Sequence, residues 1–100
     1  MLVLPAELTH VQAPACLNML LTAVRADKGR RVLVDATPLT RFDSSALAVL
    51  LECRRECLQD DRRFAVRGLA PRLRELAGLY GIAALLPEPD DALAPAAAPA

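Results

Sequence analysis

The chain has 100 residues, enough for one domain with a single two-layer core. Apolar residues make up 54% with only three aromatics, so Leu, Val and Ala must build that core, and a formal net charge of zero argues against a dedicated nucleic-acid binder. The longest uninterrupted apolar run, 46–51, is far short of the about 20 residues that cross a bilayer, which argues against direct membrane insertion.

In chain order, Leu2, Val3 and Leu4 read as a short strand, ended by Pro5 and continued loosely through Glu7 and Leu8. Thr9 followed by Gln12 has capping-box spacing, and Ala13, Cys16, Leu17, Leu20, Leu21 and Val24 then recur on one helical face. Proline is best tolerated in a first turn, so Pro14 predicts a helix that begins a residue or two later than Thr9 implies. Asp27, Lys28, Gly29 and Arg30 close it, with Gly29 expected in the left-handed region.

Val32, Leu33 and Val34 form a β-branched apolar run, the signature of a strand buried on both faces. Asp35 ends it and is expected to satisfy loop amides. Thr40, Arg41 and Phe42 are read as a loop, with Arg41 exposed and Phe42 turned to the core. Asp43, Ser44 and Ser45 break the pattern and offer N-cap side chains. After them Ala46, Val49, Leu50, Cys53 and Cys57 recur at i, i+3, i+4, i+7 and i+11, one face of a helix widened by Leu47, Leu51 and Leu58. Ser45, Ala48, Glu52, Arg55, Glu56 and Gln59 are left for the outward face.

Asp60, Asp61 and Arg62 read as a polar turn, and Phe64, Ala65 and Val66 as the next buried strand, stopped by Gly68. Pro71 suits a first helical position, and Leu73, Leu76, Ala77 and Tyr80 give a short amphipathic helix ended by Gly81. Residues 82–86 predict a final short strand or extended segment. From Pro87 the chain is mostly proline, alanine and acid, so the expected organisation is one domain over 1–86 and a disordered tail over 87–100. Alternation of strands and helices argues an α/β fold with parallel pairing and right-handed crossovers.

The arginines Arg54, Arg55, Arg62, Arg63, Arg67, Arg72 and Arg74 are interleaved with acids and read as a solvated mixed-charge face. Cys16, Cys53 and Cys57 fall at core-facing positions. A structural metal site needs about four ligands, and His10 is the lone histidine, so buried thiols in a reducing compartment are expected, with no metal. Residues 1–5 lack a basic n-region and Pro5 and Glu7 break them, so no signal peptide is expected and the predicted location is cytoplasmic.

Phosphate loops, dinucleotide fingerprints, His-Glu-x-x-His and Cys-x-x-Cys are all absent from the sequence. A Ser–His pair would have to join Ser44 or Ser45 to His10 with no third orienting acid in view, so neither catalysis nor a cofactor is expected. The start of the second helix admits two readings. Asp43 and the serines can be a structural cap, contributing on the order of 1 kcal/mol. Equally, the exposed N–H groups and positive dipole end can form a recognition surface for a phosphate or a partner's carboxylate.

The Val34–Asp35 pair, Leu39, and Asp43, Ser44, Ser45, Ala46 and Leu47 opening a helix resemble the STAS domain of anti-sigma-factor antagonists and anion-transporter regulatory domains. The wording of 41–52 is most similar to the small STAS (MlaB-type) subunit of the bacterial Mla phospholipid-transport ABC system. With Arg67, Gly68, Leu69 and Leu79, Tyr80, Gly81, Ile82, the resemblance runs over about 2–86. It implies a mostly parallel central sheet with helices mainly on one side. The family usually adds a strand hairpinned to 2–4; either this domain is trimmed at that edge or its start lies upstream. An uncovered edge invites pairing, so a homodimer through it is an expectation.

For function, the resemblance implies a non-catalytic subunit that binds an ABC ATPase and, through it, a membrane permease, at the periphery of the inner membrane. Thr9, His10, Thr40, Arg41, Asp43, Ser44 and Ser45 would form the partner-binding surface. In antagonists the serine after the aspartate, here Ser44, is the phosphorylation site, which implies an antagonist as the alternative function. Two departures favour the transporter reading: Ala46 replaces a glycine common in antagonists, and Thr9 and His10 stand where those tend to carry an aspartate. Some STAS domains bind nucleotides or lipids, a third expectation.

Overall fold

The computed structural model describes residues 1–89. In chain order the elements are β1 (Leu2–Val3), β2 (Glu7–Leu8), α1 (Ala13–Ala26), β3 (Arg31–Asp35), β4 (Arg41–Phe42), α2 (Ser45–Gln59), β5 (Arg63–Arg67), α3 (Pro71–Leu79) and a 3₁₀ turn (Ala83–Leu85). This is the expected α/β domain. The main sheet has the order β1-β3-β5 with every pair parallel, and Leu2 lies opposite Val34, Val34 opposite Val66.

β3 sits in the centre because its Val32 and Val34 are the apolar alternate residues of a short extended run; both are buried, as are Phe64 and Val66 beside them. Leu33 and Ala65, on the other face, are only half-buried. The expectation of burial on both faces is therefore corrected to one buried face. That face meets Cys16, Leu20 and Val24 of α1 and Ala46, Val49, Leu50, Cys53 and Cys57 of α2 in one core cluster.

β2 and β4 form a second parallel pair, with Glu7 opposite Arg41 and Leu8 opposite Phe42. Residues read as a loop thus belong partly to a strand; two residues are too few for any periodicity to announce them. The amides of Thr40 and Arg41 both donate to the Ala6 carbonyl, at 2.9 and 3.0 Å.

α1 begins later than Thr9 implies, as Pro14 led us to expect. Gln12 and Ala13 donate to the Thr9 carbonyl in a separate turn, and the Gln12 side-chain oxygen accepts from the Thr9 amide at 2.9 Å and its hydroxyl at 2.7 Å. The cap motif closes this turn, and Pro14 then enters the first turn of the helix, where it removes no needed donor. At the other end Gly29 does not take a left-handed conformation. Asp27 turns extended (φ −87°, ψ 125°) and its carboxylate accepts the Gly29 amide at 2.8 Å, an aspartate turn that makes a left-handed glycine unnecessary.

Further corrections concern side chains placed by periodicity alone. Leu58 is 48% exposed because it stands off the Cys53–Cys57 side of α2, and Tyr80 is 56% exposed because it lies just past the end of its helix. Arg62, read as part of a solvated face, is 8% exposed: its Nε donates to the Gly29 carbonyl at 2.7 Å and its guanidinium to the Val24 carbonyl at 2.6 Å.

α3 starts on Pro71 and stops as expected at Gly81 (φ 75°), whose amide bonds the Gly78 carbonyl while the Ile82 amide bonds Ala77, the two bonds of a Schellman motif. Instead of a last strand there is the 3₁₀ turn, which delivers Leu86 fully into the core. Of the expected 87–100 tail, the first residues are held: the Pro87 carbonyl accepts the Val66 amide at 2.8 Å, Glu88 pairs with Arg74 at 3.1 Å, and Pro89 is buried. The rest of that expectation, 90–100, lies outside the described residues. Among the described residues no helix is long and apolar enough to cross a membrane.

Candidate functional site

The site expected from the sequence is assembled where the β2–α1 turn meets the start of α2. Its centre is Asp43. One carboxylate oxygen accepts the Ser45 amide at 2.8 Å, so Asp43 caps the helix from the residue before the N-cap, Ser44. The other accepts the His10 amide at 3.0 Å and lies 3.3 Å from the His10 ring Nδ1. One carboxylate therefore ties together segments 33 residues apart, and two backbone donors hold its pKa down to about 2, the His10 amide first and the Ser45 amide next.

Because Asp43 does the capping, the Ser44 hydroxyl makes no capping bond, and Ser44 is exposed at the positive end of a fifteen-residue helix. Ser45 is half-buried in the first turn. Thr40 is exposed on the approach to β4 and its hydroxyl reaches the Ala6 carbonyl at 3.3 Å. Arg41 is exposed and loosely paired with Glu7 at 3.8 Å across the β2–β4 pair. Thr9, half-buried, is engaged with Gln12. All seven residues singled out from the sequence thus lie on β2, β4 and the adjoining turns or on the first turn of α2.

Asp35 behaves as expected of a loop organiser: it accepts the Thr37 amide at 3.0 Å, and bonds from Thr37 lower its pKa. Thr37 in turn packs on Gly68 (φ 73°), where any Cβ would collide with the Thr37 hydroxyl. What sequence reasoning missed is the His10 backbone amide as the second donor to Asp43, a contact that no local spacing signals. The surface recesses of about 570 and 540 Å³ lie elsewhere, at the far end of α1 and along the outer C-terminal half of α2. The site itself is an exposed helix start, a shape suited to a partner's surface. Among the described residues no group of His, Cys, Asp and Glu could hold a metal, and Cys16, Cys53 and Cys57 are buried and free.

Comparison with known proteins agrees with the fold. A family model described as "Mlab, STAS domain" matches residues 1–87. No protein of curated function matches the sequence. Among solved structures, an anti-sigma-factor antagonist (STAS) domain protein from Planctomyces limnophilus superposes with a TM-score of 0.75 at 22% identity, covering 91% of this chain and 84% of that one. The anti-sigma-factor antagonist SpoIIAA in its unphosphorylated form gives 0.72 at 18% identity, covering 98% and 87%. At these identities the two structures speak to the fold alone.

Proposed function

The chain belongs to the STAS domain family, matching its MlaB-type model, and from that premise we propose that it is a non-catalytic docking subunit of an ABC-type phospholipid-trafficking complex. It binds the cytoplasmic ATPase, supports its assembly and activity, and through it sits at the membrane beside a permease. The observation that carries this reading is Ser44, an exposed, uncapped hydroxyl at the start of α2, on a platform braced by the Asp43–His10 contact. The positive end of α2 favours a neutral acceptor from the partner beside the Ser44 hydroxyl, and Thr40 and Arg41 flank it. A charge at Ser44 would stand beside the ionised Asp43 and be desolvated on docking, which opposes binding.

A second reading, an anti-sigma-factor antagonist switched by phosphorylation of Ser44, is supported by the fold of both similar structures and by the exposure of that hydroxyl. Affinity purification of the tagged chain from native membranes, with mass spectrometry of partners and of Ser44, separates the two. An ABC ATPase with its permease and an unmodified Ser44 is the expected result. An anti-sigma kinase, or phosphate on Ser44, would replace the first reading by the second.

A further inference from the structure

We propose that the helix-free face of the main sheet, at Arg31 and Arg63, is a docking surface for Asp90 and Asp91 of this same chain. Successive residues of a strand face opposite sides of the sheet. Val32, Val34, Phe64 and Val66 point into the core, so Arg31, Leu33, Arg63 and Ala65 point to the other side. The buried residues of α1, α2 and α3 all join the core cluster on the first side, and Leu33 and Ala65 stand outside it. Both are nevertheless half-buried. The segment 87–89 lies against them and bounds, with Arg31, Leu33, Arg63 and Ala65, a cavity of about 80 Å³.

Two contacts fix the direction of that segment. The Pro87 carbonyl accepts the Val66 amide at 2.8 Å, and Pro89, buried, lines the cavity with Arg31 and Arg63. The chain therefore runs back along β5, from Val66 toward the first residue of the strand. Glu88 turns aside to Arg74 of α3 at 3.1 Å. The next two residues are Asp90 and Asp91.

Charge at the end of this path selects the occupant. Arg31 and Arg63 are partners in the parallel register of β3 and β5, where neighbouring strands lie about 4.8 Å apart. Two cations on one face at that spacing repel each other, and anions beside them relieve the repulsion. An acid for each arginine arrives one and two residues beyond Pro89, already tethered to the same cavity. The tether keeps the effective concentration of the acids high, so two pairs that would each be weak on an open surface close together. Arg63 follows the end of α2 opposite Ser44, so the docked acids leave the Ser44 surface open.

The test is digestion of the full chain by an endoproteinase that cuts on the amino side of aspartate, with mass spectrometry timing the cuts before Asp90 and Asp91. The chains compared are wild type, Arg31→Gln with Arg63→Gln, Arg31→Lys with Arg63→Lys, and Arg72→Gln as a control on α3. Arg31, Arg63 and Arg72 are exposed, so circular dichroism melts should stay close to wild type. Cleavage samples the undocked population, and the glutamine pair should be cut about fivefold or more faster than wild type. The lysine pair keeps both charges and should stay near the wild-type rate, as should the control. Sodium chloride at about 0.5 M should bring wild type up to the rate of the glutamine pair. Equal rates for wild type and the glutamine pair overturn the proposal. So does a lysine pair cut as fast as the glutamine pair, which would assign the protection to packing. Protection that grows with protein concentration overturns it too, by placing the acids of another copy on the arginines.

Discussion

The two ends of the α1–α2 pair are built on the same electrostatic logic and yet differ in what they leave to solvent. At one end both helices begin, and an anion, Asp43, gathers the amides of His10 and Ser45. At the other end both finish, and a cation, Arg62, gathers the carbonyls of Val24 and Gly29. Each charge complements the helix dipole it faces. Arg62, however, is 8% exposed, with Asp27 3.8 Å away and one guanidinium nitrogen left without a hydrogen-bond partner. Asp43 is partly open and its neighbour Ser44 is exposed. The buried tie holds the fold, and the open one holds a surface. A docking site belongs at the end whose bonds can be remodelled without unfolding the domain.

The sharpest way to break this comparison is Arg62→Met. It strands the buried Val24 carbonyl and leaves the exposed Gly29 carbonyl to water, and we expect a loss of about 2 kcal/mol in denaturant unfolding. Arg62→Lys should recover less than half of it, since an ammonium cannot fork between Val24 and Gly29. Ser44→Asp is the converse: stability should stay within about 0.5 kcal/mol of wild type, while affinity for the ATPase proposed as its partner falls more than tenfold by titration calorimetry. A stability loss at Ser44 equal to that at Arg62 would erase the distinction drawn here.

Asp43→Asn sharpens it further. The native carboxyl titrates near 2, below its ordinary 3.8, so its stabilisation is complete above pH 3.8 and is lost as pH falls through about 2. Melting curves of wild type and Asp43→Asn should therefore differ at neutral pH and converge between pH 4 and 2. The smallest effect is expected in the middle of the pair. Burial, with Cys57 beside it, pushes the Cys53 thiol up to about 12, so alkylation at neutral pH should leave Cys53 unmodified until denaturant is added. Fast labelling of the native chain would place that thiol outside the core.

The elements carried by strong local signals were legible in the sequence: Val32 and Val34 as the central strand, Pro71 and Gly81 as the bounds of α3, and the apolar stripe of α2 from Ala46 to Cys57. Weaker signals misled. Gly29 looked like a helix stop until Asp27 supplied one with its own side chain, and Tyr80 fell in register with Leu73 and Ala77 but just past the end of the helix. For the site, the residues could be read from the motif around Asp43, because a helix N-terminus needs an acceptor within a few residues. The role of His10 could not, because its amide meets Asp43 only when β2 is laid beside β4.

By itself, then, the sequence determined an α/β domain of alternating strands and helices, its thiol-bearing core and the cap at the start of α2, all consequences of local periodicity and of donors and acceptors close along the chain. Tertiary structure alone decided that Arg62 is a buried clamp and not a surface charge, and that Asp43 binds two segments at once. Both depend on groups more than thirty residues apart, and only the packed chain brings such groups within hydrogen-bonding reach.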